Sequence, residues 1–426
     1  MPAMTTRVRQ ERPHPPTAPG DGPEGAPVRL GPASGSGGGR VRPTVRRRRL
    51  PVLGPADREV LLLYLLTRAG VWILAHCTRW LFPADGKARD SAPVLAPFQQ
   101  WDWHHYLQIA REGYFPDGAG PWVTGWDNRE AFFPGFPLLL RAVHVVVPDW
   151  AAAGLLISLV AGAVAVVALA RIARLHLPGT DGGRRTVLLF LFSPCAIFLA
   201  AGYTEALFLA FALPAWLAAQ RRAWPLAAVL TALATTVRIS GLFLAAAVAV
   251  QFALALRGRR DWSALPWVAL PAVPAALHSW YLQAHTGDWM AWKHAQERGW
   301  YRDFHAPWEA WRNTWDAAFT HTQATGYAFM SQAELLAMLV GLLLLGLLLR
   351  RRRWPEAVYI GLSLWALGTS YWYTSVPRAT LLWWPLWIAL AAWSLRRPRV
   401  GTVCLCVAPP VMAVFAISFL TGRWTG

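Results

Sequence analysis

Apolar positions dominate the chain in runs of about 16 to 25 residues that recur from Val60 to Leu420. Short polar or arginine-rich segments separate these runs. An α-helix needs roughly 20 apolar residues to cross a hydrocarbon core about 30 Å thick. The pattern therefore predicts an all-α polytopic membrane protein.

Composition agrees with this class, and the distribution of charge argues against another. Of the 426 residues, 55% are hydrophobic and 15% are charged, a smaller charged share than soluble domains carry. The net charge of +18 would suit a nucleic-acid-binding protein, but the arginines concentrate in the N-terminal tail and in short clusters between apolar runs. Because this is the distribution found in cytoplasmic loops, we predict no nucleic-acid partner.

Residues 1–55 differ from the rest of the chain. They are rich in Pro, Gly, Ser and Arg and contain almost no large apolar residue before Leu50, which predicts a disordered basic tail. The run Arg46–Arg49 favours a cytoplasmic position near anionic membrane lipids. No convincing cleavage site follows the first apolar run, so residues 56–426 are predicted to form one multi-span membrane domain that begins with an uncleaved signal anchor.

The arginines that flank the apolar runs predict sidedness. Placing every arginine cluster inside gives about eleven spans, with a cytoplasmic N-terminus, an outer C-terminus and external loops at residues 83–150 and 285–330. Two stretches are too long for one span and carry arginines on both flanks, so each predicts a hairpin with an external tip: Thr186–Gln220 and Trp224–Leu256. The other predicted spans are Val60–Phe82, Ala151–Leu175, Trp262–Gln283, Ala333–Leu349, Pro355–Tyr373 and two that follow Arg378.

Within the first external loop, the segment Gln100–Pro137 is neither a plain apolar run nor low-complexity sequence. Its part Trp101–Glu112 has the periodicity of an amphipathic helix, which Gly113 would end. The predicted apolar face consists of Trp103, Tyr106, Leu107 and Ala110. Asp102 lies on another side, where a carboxylate suits a general base acting on a hydroxyl or simply caps the helix.

Two histidines follow this acid. His104 and His105 are candidates for binding a leaving phosphate, and Asp102 with His105 offers two of the ligands that a divalent metal ion would need. A third ligand is not evident, so ordinary interfacial hydrogen bonding is favoured. The four cysteines lie in apolar runs without zinc-ligand spacing. We predict no cofactor, with a divalent metal as the less favoured alternative.

Charged side chains inside apolar stretches are costly and are usually functional or paired. Glu205 and Arg238 lie at the two predicted hairpin tips, where they either pair with each other or face a cavity. Arg238 and Arg378, which lies at another external turn, suit bidentate binding of a phosphate. Glu130 is either a second acid or part of a loop ion pair. Arg68, inside the first span, is interpreted as structural.

The segment Trp292–Trp315 mixes Trp, His, Lys and acidic residues and predicts an external lid. Its pattern does not rank the individual residues.

At these motifs the chain resembles the PIG-V family, mannosyltransferases of the second GPI-mannosylation step and their bacterial relatives. The resemblance extends in order over about Val60–Leu395. The matching segments are Trp101–Tyr114 with Ala131–Pro137 (the family's first external loop), Ser193–Phe208 (its Asn-Pro-Ala…Tyr-Ser-Glu-Ser segment), Thr236–Gly241 (its Thr-Arg-Ser-Asn-Gly turn) and Pro377–Arg378. The chain departs from the pattern at Ser193, Ile239, Ser240 and Ala379.

The resemblance implies a GT-C architecture, a polyprenyl-phosphate-linked mannose donor and inverting transfer to an acceptor hydroxyl. In that scheme Asp102 takes the acceptor proton, Arg238 and Arg378 neutralise the departing phosphate, and Glu205 orients the sugar or the arginines. The external position of these motifs agrees, because nucleotide sugars are scarce there. No nucleotide-binding glycine motif is present.

Two other functions stay open from the residues alone: a transporter or flippase of a lipid-linked sugar, and a non-catalytic subunit of a glycosylation complex. No internal inverted repeat supports the transporter. The acceptor is a glycolipid, a polysaccharide or a protein. The abundance of Ala, Arg, Trp, Pro and Gly is typical of a high-GC bacterial genome and disfavours a GPI acceptor. The predicted location is the plasma membrane, with the active site outside.

Overall fold

A computed structural model describes residues 53–82, 93–116, 128–177, 179–256 and 264–426. Within these ranges the secondary structure is helical, without strands. The residues from Leu53 onward form one compact unit. The predicted disordered tail, residues 1–55, lies outside the described residues except for its last three positions.

The α-helices that the structure describes fall into long apolar helices and shorter ones at their ends. In chain order they are α1 Pro55–Leu81, α2 Asp102–Glu112, α3 Gly135–His144, α4 Trp150–His176, α5 Thr180–Leu191, α6 Thr204–Gln220, α7 Trp224–Val237, α8 Ser240–Leu256, α9 Leu265–Ala269, α10 Val273–Thr286, α11 Ala291–Trp300, α12 Pro307–Phe319, α13 Thr325–Arg350, α14 Trp354–Gly368, α15 Val376–Ala379, α16 Trp384–Arg396 and α17 Pro398–Leu420. Short 3-10 helices lie at Ala96–Phe98, Arg129–Ala131, Ala196–Leu199, Leu270–Ala272 and Thr380–Leu382.

Four described helices are long and apolar enough to cross a membrane: α1, α4, α13 and α17. They coincide with predicted spans, as do shorter apolar helices such as α6, α7 and α8. The chain is therefore a helical membrane protein, and the number of about eleven spans stays a prediction.

Both long stretches that predicted hairpins are interrupted where the sequence places their tips. Between α5 and α6 the chain forms a 3-10 helix at Ala196–Leu199 and then a bend that ends at Tyr203. Between α7 and α8 the backbone of Arg238 is extended, with φ −151° and ψ 147°. A Cβ at Gly241 would lie 2.5 Å from the Thr235 backbone, so this turn requires glycine. The helix breaks are confirmed.

Helix α6 lies at the centre of the core and is buried nearly all round, as expected for a helix without a polar face. Small residues let its neighbours approach closely. In α4, a Cβ at Gly162 would collide with the Tyr64 hydroxyl of α1. That hydroxyl donates to the Leu159 carbonyl at 3.0 Å. This close packing fixes α1 against α4.

The arginine-rich helix ends lie together at one end of the molecule. Asp57 of α1 accepts hydrogen bonds from Arg171 and Arg174 of α4 at 2.8 and 2.7 Å. Arg353, at the start of α14, donates to His176 at the end of α4 at 3.0 Å. The ends of α1 and α4 are therefore joined by ion pairs, and those of α4 and α14 by a hydrogen bond.

Candidate active site

Helix α2 is held in place by one buried tryptophan. The Trp103 side chain is 2% exposed, and its ring lies between two glycines. A Cβ at Gly154 of α4 would lie 2.5 Å from the ring, and one at Gly202, before α6, would lie 2.6 Å from it. The buried face of the helix is Trp103, Tyr106, Ile109 and Ala110. The prediction was wrong at one position, because Leu107 is only partly buried and Ile109 is buried instead.

Asp102 is the first residue of α2, and Trp101 occupies the cap position. No side chain makes a cap hydrogen bond there. The carboxylate of Asp102 instead accepts a hydrogen bond at Oδ2 from Arg378 Nη1 at 2.8 Å. Trp101 has a φ of 51° and a ψ of −116°, a conformation that side chains rarely adopt. The cap alternative is wrong, and a strained residue directs Asp102 towards Arg378.

Arg378 lies on the short helix α15 and joins two acids. Its Nε donates to Glu205 Oε1 at 2.5 Å, and its Nη1 donates to Asp102. The guanidinium also lies over the rings of Phe198 and Tyr203, 4.5 and 4.9 Å from their centroids, which is cation–π geometry. Arg378 is therefore fixed by residues that come from two separate parts of the chain, the start of α2 and the segment from Phe198 to Glu205.

Arg238 reaches the same cluster from the break between α7 and α8. Its Nη1 lies 2.6 Å from Glu205 Oε1 and 2.6 Å from Thr204 Oγ1. Glu205 is fully buried in the first turn of α6 and accepts from both arginines through one oxygen. Of the two alternatives, the structure shows Glu205 paired with Arg238, and Arg378 joins the pair.

A second buried acid positions the turn before Arg378. Glu334 of α13 is fully buried, and its two carboxylate oxygens accept the backbone N–H groups of Ser375 and Val376, both at 2.8 Å. Ser375 has a φ of 66°, a left-handed conformation that needs support from its surroundings. Glu334 supplies that support and so orients α15.

The surroundings of the cluster keep Arg378 charged and the phenols of Tyr106 and Tyr203 neutral. Burial acts to lower the pKa of Arg378, but the attraction of Glu205 and Asp102 outweighs it, and the pKa rises well above its usual value. Burial, followed by repulsion from the Asp102 charge, raises the pKa of Tyr106 and Tyr203. The Tyr203 phenol therefore stays protonated and donates to the Gln100 carbonyl at 2.5 Å.

The other predicted site residues lie outside this ion-pair cluster. His104 is exposed. His105 stacks on Phe132, with ring centroids 4.9 Å apart, and meets the edge of Trp300. Glu130 is fully buried, 3.8 Å from Arg298 Nη2 of α11, which corresponds to the loop ion-pair alternative. His105 and Glu130 thus tie the first loop to the predicted lid.

The lid segment contains α11 and α12, with Arg302 between them. Arg302 is half-buried, and the charged groups that act on it are Arg238, Asp102, Arg378 and Glu334, so it lies near the cluster. Sequence reasoning missed this residue. Its neighbours along the chain, Tyr301 and Asp303, give no pattern that would single it out.

Across the described ranges, no three His, Cys, Asp or Glu side chains are grouped so that they could hold a metal ion. The absence of a cofactor stays a prediction.

An apolar groove of about 1000 Å³ begins beside Pro377, the residue before Arg378, and its lining also includes arginines at helix ends. Near the cluster its lining includes Ser193, Pro377 and Thr380. At the far end the lining includes Arg351 and Arg396. Between these ends the walls are apolar side chains of α13, α16 and α17, so the groove suits a long hydrocarbon chain.

These features define a helical membrane protein with a buried carboxylate–arginine site at helix breaks. Residues 89–256 match the model of the mannosyltransferase (PIG-V) family. This segment of the chain is similar to the PIG-V mannosyltransferases, and it contains Asp102, Glu205 and Arg238.

Curated relatives carry similar sequence over part of their length. The chain is 32% identical over 218 residues to GPI alpha-1,6-mannosyltransferase 2 of Mus musculus, covering 48% of this chain and 41% of the relative. It is 32% identical over 213 residues to the protein of that name from Homo sapiens, covering 44% and 41%. The matched part is thus about two-fifths of each relative. No solved structure is significantly similar to the chain.

Proposed function

We propose that this protein is a GT-C mannosyltransferase of the plasma membrane, which moves mannose from a polyprenyl-phosphate donor to an acceptor hydroxyl on the outer face. The observation that carries the proposal is the cluster in which Asp102, Glu205, Arg238 and Arg378 are joined by hydrogen bonds of 2.5 to 2.8 Å. In it, an acid that is not fully buried lies beside cations that can stabilise a departing phosphate.

Asp102 is the general base in this proposal. Its Oδ2 is held by Arg378, and its side chain is 17% exposed. Among the described residues, no hydrogen bond involves Oδ1, which is therefore available to a substrate hydroxyl. Asp102 takes the proton of the acceptor hydroxyl, whose oxygen attacks the anomeric carbon on the side opposite the leaving phosphate, so the phosphate is displaced directly. Direct displacement inverts the anomeric carbon.

The leaving group is a lipid phosphate, which requires positive charge as the sugar–oxygen bond breaks. Arg378 and Arg238 provide this charge, while Glu205 fixes their guanidinium groups through ion pairs. Their fixed orientation means that little reorganisation is needed during reaction.

The apolar groove supports a lipid-linked donor. It begins beside Pro377 and Thr380, next to Arg378, and continues along α13. A phosphate at the arginines would therefore leave its polyprenyl chain at the mouth of an apolar groove of about 1000 Å³. The acceptor is a glycolipid, a polysaccharide or a protein, and it enters from the Asp102 side.

The test is D102N, assayed in membranes with a labelled polyprenyl-phosphate-mannose donor. We expect transfer to fall by about 100-fold or more, the range that a general base contributes. The matched control is D316N on α12, an exposed aspartate whose side chain forms no ion pair with any described residue, and it should transfer like the wild type. Undiminished transfer by a correctly folded D102N protein would refute the role of Asp102. Absence of transfer by the wild type from any lipid-phosphate sugar would refute the function.

A further inference from the structure

The loop between α11 and α12 is bound to the segment that precedes Arg378. The Tyr371 N–H donates to the Tyr301 carbonyl at 3.1 Å, and the His305 N–H donates to the Thr369 carbonyl at 2.9 Å. These two bonds lie on either side of Arg302 along the loop. They hold its backbone beside the chain that leads to the cluster, so the position of Arg302 is fixed by main-chain contacts.

Arg302 differs from the other two arginines of the site in its partners. Arg238 and Arg378 donate to carboxylates. Arg302 has no carboxylate oxygen within 4.0 Å among the described residues, and its buried Nε has no hydrogen-bond partner there. A buried N–H without a partner is costly, which indicates a place for an anionic ligand.

The charged groups near Arg302 leave it without a dedicated counter-ion. Arg238 and Arg378 are shared between Asp102 and Glu205. Glu334 directs both carboxylate oxygens at backbone N–H groups.

Protonation does not remove this positive charge near neutral pH. Burial, followed by repulsion from Arg238, lowers the pKa of Arg302 to about 10. The guanidinium therefore stays charged at neutral pH.

We propose, on the basis of the function proposed above, that Arg302 binds the phosphate of the lipid-linked donor. The guanidinium presents a planar set of N–H donors that matches phosphate oxygens. Arg302 thus adds to Arg378 and Arg238, which are held by acids and stabilise the charge that develops as the sugar–phosphate bond breaks. Because Arg302 comes from the lid segment, donor binding also links that segment to the cluster.

The experiment measures binding by the purified full-length chain in lipid nanodiscs. The probes are a polyprenyl phosphate and the polyprenol of the same chain length, which lacks only the phosphate. We expect R302A to weaken binding of the phosphate by about tenfold or more, since hydrogen bonds to charged groups fall in that range, and to leave polyprenol binding unchanged. R302K keeps the charge without the planar donors, so its affinity for the phosphate should lie between those of R302A and the wild type. R312A, an exposed arginine on α12, should bind both probes like the wild type.

The outcomes distinguish the role of Arg302 in phosphate binding from the proposed mannosyl transfer. Equal binding of the phosphate by R302A and wild type overturns the role of Arg302, even if mannosyl transfer is present. If R302A loses binding of the phosphate and of the polyprenol equally, Arg302 has a structural role and the inference is overturned. The same holds if R302K and R302A lose phosphate binding equally and both have a lowered melting temperature. Selective loss of phosphate binding supports the inference. If the wild type shows this selectivity but transfers no mannose, the phosphate site stands and the proposed function falls.

Discussion

At the scale of single residues, Glu205 is the acid on which the other charges depend. Its Oε1 accepts from Arg238 and Arg378, while its buried Oε2 has no partner among the described residues. Burying a carboxylate is expensive unless cations and hydrogen-bond donors compensate. Two guanidinium groups at 2.5 and 2.6 Å provide that compensation.

We therefore expect E205Q to destabilise the protein by about 3 kcal/mol, because removing one member of a buried ion pair leaves the others uncompensated. The measurement is unfolding of the purified protein in detergent. The control is E59Q. Glu59 pairs with Arg184 at the surface, where the two side chains are 46% and 54% exposed respectively, so this substitution should change stability by less than about 1 kcal/mol. Similar stability of E205Q and E59Q would contradict a structural role for Glu205.

At the scale of elements, the site is assembled from helix ends. Asp102 begins α2, Glu205 lies in the first turn of α6, and Arg238 follows α7. Helix ends leave backbone groups and polar side chains available, so chemistry concentrates where long apolar helices stop. The position of α2 depends on the fit of Trp103 between Gly154 and Gly202.

We expect G154A to displace the Trp103 ring, since the new Cβ would lie 2.5 Å from it. Overpacking of this kind costs about 1 to 3 kcal/mol, and the shift of α2 would move Asp102, so stability and transfer should both decrease. G70A in α1 meets no atom within 4 Å and should leave both unchanged. Wild-type transfer by G154A would show that α2 is positioned by other contacts.

At the scale of the whole molecule, polar groups are separated into two regions. One contains the ion pairs of Asp57 with Arg171 and Arg174. The other contains the Asp102–Arg378 cluster. Since arginine-rich ends stay cytoplasmic, this separation places the site on the outer side in our proposal.

Cysteine labelling tests this orientation. With a membrane-impermeant maleimide on intact cells, we expect D316C in α12 to be labelled and R221C, between α6 and α7, to be labelled only after permeabilisation. Both positions are exposed, so accessibility within the protein is matched. The unmodified chain, whose Cys406 is exposed, measures the background. The opposite labelling pattern would place the site in the cytoplasm.

Much of the architecture could be predicted from sequence because hydrophobic length and flanking charge act locally. The run at Val60–Phe82 predicted α1, and the breaks near Glu205 and Arg238 appear where charge interrupts apolar sequence. Pairing of Glu205 with Arg238 was one of two alternatives from sequence, because opposite charges in apolar surroundings are usually paired or functional. The amphipathic period similarly predicted α2 and most of its buried face.

The sequence by itself determined the class of protein, the positions of its helices and the acids and arginines that apolar sequence cannot tolerate alone. The tertiary structure decided which of them meet. It removed the cap alternative for Asp102, placed Glu130 against Arg298, and brought Arg302 to the cluster. Those contacts depend on backbone bonds and packing between segments far apart in the chain, such as Tyr301 with Tyr371, and local periodicity carries no information about such distances.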